Sequence, residues 1–315
     1  MIISYNIIGG DLKMKKKLLI TILVGACLVI CFICIKHDNN EKEQKTEKTY
    51  YQTVVFKDDD NTLIPIEVDM AQELEADDKY RNMLEVMKSK DYEYLGLHPI
   101  LDSNLQVNAI AINDKSLTFD FSDNLYVNNN QEALDICEML SYVFCVGDIE
   151  KVNLKIDGND INELPNSTIP VSCITNRLGI NNFESSTNYL YKTLPVVVYN
   201  IQTINNQDYY VPVTERIETT ESDIDTKVSI MLKQMEYEQP LSLVEQCTLK
   251  DGDLEIHLAS NILNDNESID NTLYNRIVKS ASHLDDVKKV SLFIDDQEIE
   301  PVEDVNGIVD NRIKI

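Results

Sequence analysis

Four histidines, seven cysteines and 54 acidic side chains are what this 315-residue chain could use for chemistry. His37, His98, His257 and His283 show no metal-ligand spacing to one another or to a cysteine, so each reads as a surface histidine. Cys27, Cys31 and Cys34 fall at i, i+4 and i+7 of an apolar run, where a thiol serves as a small apolar group. The CxxC spacing of Cys31 and Cys34 has no second pair and lies in that run, which excludes a zinc or redox site. Cys137 and Cys145 share a predicted helix at about 12 Å, too far for a disulfide. Cys173 and Cys247 could pair only if the fold brings them together.

Carboxylates cluster at Asp58–Asp60, Asp157 with Asp160, Asp285–Asp286 and Asp295–Asp296. A glycosidase needs two carboxylates flanking a cleft at a defined separation. These clusters sit in predicted turns, where Asp bonds its own backbone. Weak calcium binding there stays open, although no loop has EF-hand spacing. Nucleophile-elbow, phosphate-loop, dinucleotide-loop and HExxH motifs are absent from the sequence. The residues therefore point to no catalytic, cofactor-binding or metal-ligating set, and to a protein that is not an enzyme.

The formal charge of −26, from 28 basic against 54 acidic residues, excludes a general nucleic-acid binder. The chain is 43% apolar, enough to bury cores, and its length suits roughly two domains at about 100–200 residues each. Residues 18–35 (LLITILVGACLVICFICI) carry no charge and follow Lys15–Lys17. That length just suffices for a transmembrane helix, and the preceding lysines place residues 1–17 in the cytoplasm. A rival reading makes Val24–Cys27 a lipobox, with Cys27 lipidated as the first mature residue. Met14 is an alternative start. Residues 1–36 hold five Lys and one Asp, a net of +4, so the remainder carries −30. Residues 36–49, mostly polar, read as a stalk.

The strongest pattern is an internal duplication. Asp148–Asp157 (DIEKVNLKID) matches Asp286–Asp295 (DVKKVSLFID) at an offset of 138. Leu117–Phe121 matches Leu254–Leu258, and Leu63–Ile66 matches Tyr210–Val213, in the same order. Domains are expected at 50–162 and 193–302, with a linker at 163–192 and a tail at 303–315. In each, a hairpin whose second strand holds a proline (Pro65; Pro212) is followed by an amphipathic helix. Tyr80, Met83, Leu84 and Met87 mark that helix in copy one; Ile224, Val228, Met231, Leu232 and Met235 mark it in copy two. Thr220 or Ser222 could cap the second of these. A second hairpin follows, turning at Asp114–Lys115 and at Asp251–Gly252. Another helix and a last strand complete ββαββαβ. The expected fold is α+β, with two helices on one face of a small sheet in each domain.

This order resembles the GerMN domain family of sporulation and spore-germination proteins. The likeness extends to Val152–Gly158 (VNLKIDG), Leu164–Asn166 (LPN) and Leu178–Asn181 (LGIN). The resemblance implies two tandem domains akin to ring-building modules behind a membrane anchor. It further implies an extracytoplasmic location at the cell membrane in a spore-forming bacterium, with no family active site. Its partners would be envelope or sporulation-complex proteins, with a homo-oligomer or ring as a further expectation. The alternative is an envelope lipoprotein that binds peptidoglycan or a small ligand between its two domains. A hydrolase, the third reading, requires carboxylates converging in a cleft.

Overall fold

The computed structural model describes residues 50–70, 74–182, 186–218, 222–235, 237–264, 266–300 and 311–313. The anchor, the stalk, Cys27, Cys31, Cys34 and His37 lie outside the described residues. No helix among the described residues is long and apolar enough to cross a membrane. The described residues pack as one unit.

Copy one begins with a hairpin of β1 (Tyr51–Lys57) and β2 (Leu63–Asp69), followed by helix α1 (Ala76–Val86). A second hairpin, β3 (Val107–Asn113) and β4 (Ser116–Phe121), precedes helix α2 (Asn130–Phe144) and strands β5 (Lys151–Ile156) and β6 (Asn159–Asp160). After the single helical turn α3 (Ser186–Tyr189), copy two repeats the order. It runs β7 (Leu194–Ile204), β8 (Gln207–Ile217), α4 (Ile224–Gln234), β9 (Thr248–Lys250), β10 (Asp253–His257), α5 (Asn271–Ala281), β11 (Lys289–Ile294) and β12 (Gln297–Ile299). Strand β13 (Arg312–Ile313) closes the described chain.

One small sheet per domain was the expectation, and it is corrected. Each copy divides its strands between two sheets, β1-β2-β13 and β3-β4-β5-β6 in the first, β7-β8 and β12-β11-β10-β9 in the second. Nor do the helices cover a single face: α2 meets both β1 and β5, and α5 meets both β7 and β11. The physical reason lies in the first hairpin. The run Leu194–Tyr199 (LPVVVY) is apolar on both faces, the mark of a strand buried on both sides. Val196 and Val198 enter the core of copy two, and Val197 and Tyr199 pack on the opposite face with Tyr210. Next door on β8, Tyr209 and Val211 enter the core of copy one. The hairpin is thus a wall shared by both domains.

Three further elements take shape in the fold. The linker at 163–192 packs closely, with Leu164, Ile169, Val171, Ile174, Leu178, Ile180 and Leu190 buried in the core of copy one. The tail returns from copy two, and β13 pairs in parallel with β2 at Glu67 and Val68. Helix α4 is capped by Asp223, whose carboxylate accepts the Thr226 N–H at 2.7 Å, not by Ser222; Thr220 is outside the described residues. The hairpin turn at Asp251–Gly252 forms as expected, both residues at positive φ (56° and 97°). Strand β3 is an edge with Ala109, Ala111 and Ile112 exposed.

Candidate functional site

The two proline strands face each other across the domain junction. Pro65 and Pro212 carry no N–H, so neither strand can complete a ladder there. Two asparagine side chains supply the missing amide chemistry. Asn181 accepts the Leu63 N–H at 2.8 Å and donates to the carbonyls of Leu63 (2.9 Å) and Pro212 (2.7 Å). Asn311 accepts the Tyr210 N–H at 2.8 Å and donates to the carbonyls of Pro65 (2.6 Å) and Tyr210 (2.8 Å). Each side chain therefore binds β2 of one domain to β8 of the other.

Beside this seam runs a chain of aromatic hydroxyls. Tyr142 on α2 meets Tyr199 on β7 with Oη atoms 2.5 Å apart, and Tyr199 Oη lies 2.9 Å from His283 Nε2. The His283 ring stacks on Tyr142 with centroids 5.7 Å apart. Burial pushes the Tyr142 hydroxyl up to about 12 and raises Tyr199 as well. His283 is exposed over the residue as a whole, yet the protein atoms crowding its ring lower its pKa to about 4, with Lys279 adding to the effect. All three groups are neutral near pH 7, so the chain is held by hydrogen bonds rather than charge. Ser280 and Arg276 of α5 lock Tyr199 from behind. Ser280 Oγ accepts the Tyr199 N–H at 2.9 Å, and Arg276 Nε donates to the Tyr199 carbonyl at 2.9 Å.

A cavity of about 290 Å³ opens between the domains here. Its lining includes Glu67, Lys79, Tyr80, Tyr142, Tyr199 and Lys279. Lys279 Nζ also sits 5.2 Å from the centre of the Tyr210 ring. The volume is at the small end of ligand sites, which run about 300–1,000 Å³. Chemically the cavity offers two ammonium groups, one carboxylate and aromatic walls.

A second polar cluster lies where α2 meets the segment joining the domains. Glu138 is 1% exposed and accepts the Asn182 N–H at 2.9 Å. Burial raises its pKa from 4.5 to about 8. Arg216, whose own pKa is lowered by burial, is favoured as a cation by Glu138. That attraction is mutual, so it also draws the Glu138 pKa down, and about 8 is the upper end.

The residues singled out by type disperse. His98 Nε2 is 2.8 Å from Asp59 Oδ1 on an exposed loop. Asp58 caps its own turn by accepting the N–H groups of Asp60 and Thr62. Asp285 pairs with Lys227 at 2.8 Å. His283 is exposed, as expected, and its ring also joins the tyrosine chain. Cys137, Cys145, Cys173 and Cys247 are free thiols. Cys173 neighbours Cys137, so the conditional pairing of Cys173 with Cys247 does not form. Ligand atoms of Glu245, His257 and Asp296 do converge, all within 4.8 Å of one another. Tyr142, Tyr199, Asn181 and Asn311 carry the junction; of these the sequence marked only Asn181, within LGIN, and the two-sided apolar run around Tyr199 was the available signal for the rest.

No family model matches the chain. It is 27% identical over 214 residues to the spore germination protein GerM of Bacillus subtilis (strain 168), covering 62% of this chain. The matched region spans 58% of that relative's length, less than two thirds. The solved tandem GerMN domains of the sporulation protein GerM from Bacillus subtilis superimpose with a TM-score of 0.67 at 23% identity. That match covers 81% of this chain and 96% of the solved one. The chain is GerM-like and has the fold of tandem GerMN domains.

Proposed function

We propose that this chain acts in sporulation or spore germination as a non-enzymatic, membrane-anchored protein whose two GerMN-type domains work by protein–protein contact outside the cytoplasm. The reading rests on one observation, the tandem GerMN fold shared over 81% of the chain. The joined wall β7-β8 supports it, because two domains fixed against each other present one continuous docking surface. The apolar run at residues 18–35 supplies the anchor. Its partners are envelope proteins of the sporulating cell, assembled with it into a mother cell–forespore complex. The test is a deletion strain combined with timed localisation of a tagged chain. A sporulation or germination defect, with signal at the forespore membrane, supports the reading. Normal spore yield and normal outgrowth would overturn it.

A second reading is favoured by the cavity of about 290 Å³ at the domain junction. There the protein is an envelope binding protein that holds peptidoglycan or a small ligand between its domains. Co-sedimentation with purified peptidoglycan distinguishes the two. Retention that Lys279→Ala abolishes favours the ligand reading, and no retention favours the protein-contact one.

A further inference from the structure

The two domains differ sharply at one equivalent corner. In copy one, Val107 pairs with Phe121, and the adjacent Asn108 donates to the Phe121 carbonyl (3.1 Å) and to Asp157 Oδ1 (3.2 Å). Asp120 accepts the Gly158 N–H at 2.9 Å, which ties β4 to the β5–β6 turn. That corner is closed by its own side chains. Copy two keeps the backbone: Leu243 pairs with Leu258 as Val107 does with Phe121, and the β11–β12 turn at Asp295–Asp296 has both residues at positive φ (49° and 61°). The side chains are exchanged. His257 stands where Asp120 does, Asp296 where Gly158 does, and Glu245 where Ala109 does. At the Asp120 position His257 brings an imidazole in place of the carboxylate that holds the turn in copy one.

The exchange instead brings one imidazole and two carboxylates together. The ligand atoms of Glu245, His257 and Asp296 all lie within 4.8 Å of one another. Each comes from a backbone position that is held. Val244 N–H donates to the His257 carbonyl at 3.0 Å, and Leu258 N–H donates to the Phe293 carbonyl at 2.8 Å. The His257 ring stacks on Phe293 with centroids 4.9 Å apart and planes 14° apart, which fixes the plane in which its nitrogens point. Glu245 and Asp296 are exposed, so their carboxylates can close the remaining distance.

We propose that Glu245, His257 and Asp296 bind one divalent transition-metal ion, of which Zn²⁺ is the best match. A nitrogen ligand argues against Mg²⁺ and Ca²⁺, which prefer all-oxygen shells, while two carboxylates argue against copper(I), which prefers sulfur. Three protein ligands leave the fourth tetrahedral position to water or to a donor from a partner. Bond lengths of about 2.0–2.2 Å require the three side chains to draw inward on binding. The site pins the β11–β12 turn to the 243–245 segment, doing with a metal what Asp120 does with a hydrogen bond.

The test is calorimetric titration of ZnCl₂ into the full chain and into Glu245→Gln, His257→Gln and Asp296→Asn, in salt high enough to screen the general anionic field. Expected is one Zn²⁺ per chain, with affinity at least about tenfold weaker in each variant. Co²⁺ should give a visible absorption band in the parent that His257→Gln removes. Circular dichroism of each apo variant confirms folding, and Glu245→Gln, on an exposed segment, remains informative if His257→Gln misfolds. Three outcomes overturn the proposal: no Zn²⁺ binding at millimolar metal, equal binding of Mg²⁺ and Zn²⁺, or affinity unchanged in all three variants.

Discussion

Glu138→Gln probes the buried polar cluster between α2 and the segment joining the domains. Glutamine keeps the shape and keeps an oxygen to accept the Asn182 N–H, but it cannot ionise. The parent side chain has a folded pKa raised from 4.5 to about 8 by burial. Over that interval the folded chain holds a proton that the unfolded chain releases. The Glu138 contribution is therefore fully present below pH 4.5, declines as pH rises, and is gone above about 8. At about 1.36 kcal/mol per pH unit the full interval amounts to about 5 kcal/mol. Attraction to Arg216 trims this, so about 5 kcal/mol is the ceiling for the difference at pH 8.5. Urea unfolding followed by circular dichroism, from about pH 5 to about pH 9, measures it as a difference between the two proteins. His283 titrates alike in both and cancels. The gap between variant and parent should be smallest near pH 5 and widen steadily, with the variant the more stable one above neutrality. Parallel stability curves, or a variant weaker than the parent at pH 8.5, would refute the argument that Glu138 is buried and destabilised as an anion.

Gly179 has φ of +79°, and a Cβ there would lie 2.2 Å from Thr214 Oγ1. Gly179→Ala should therefore lower the melting temperature by about 5–10 °C, since a strained or overpacked site costs about 1–3 kcal/mol. Asn311→Ala removes three hydrogen bonds that join Pro65 to Tyr210. Hydrogen exchange should then show faster exchange at the Tyr210 amide while the β10–β11 ladder keeps its protection. Tyr199→Phe strands the Tyr142 hydroxyl and His283 Nε2, at a cost of about 1–3 kcal/mol. The double variant with Tyr142→Phe should recover part of that loss, and full additivity in a double-mutant cycle would count against a coupled chain.

The order of strands and helices was readable from the residues because period and turn chemistry are local. Alternation along Leu117–Phe121, the helical stripe through Met83 and Met87, and Asp251–Gly252 each report the burial or backbone angle of their own neighbourhood. Duplication then doubled that information, since two weak copies of one order reinforce each other. The fold likeness is legible in that duplicated order. The folded chain decided what those elements do together. Proline in β2 and β8 signalled an incomplete ladder, but not that the two incomplete edges would meet, nor that Asn181 and Asn311, 118 and 246 residues from their β2 partners, would complete them. Glu138 appeared as one acidic residue among 54, and only packing against Asn182 removed it from water. Likewise His257 has no metal spacing along the chain, because Glu245 and Asp296 reach it from the 243–245 segment and the β11–β12 turn. Side-chain chemistry and periodicity are written residue by residue. Proximity between distant segments is set by how whole sheets pack, which no window of a single sequence records.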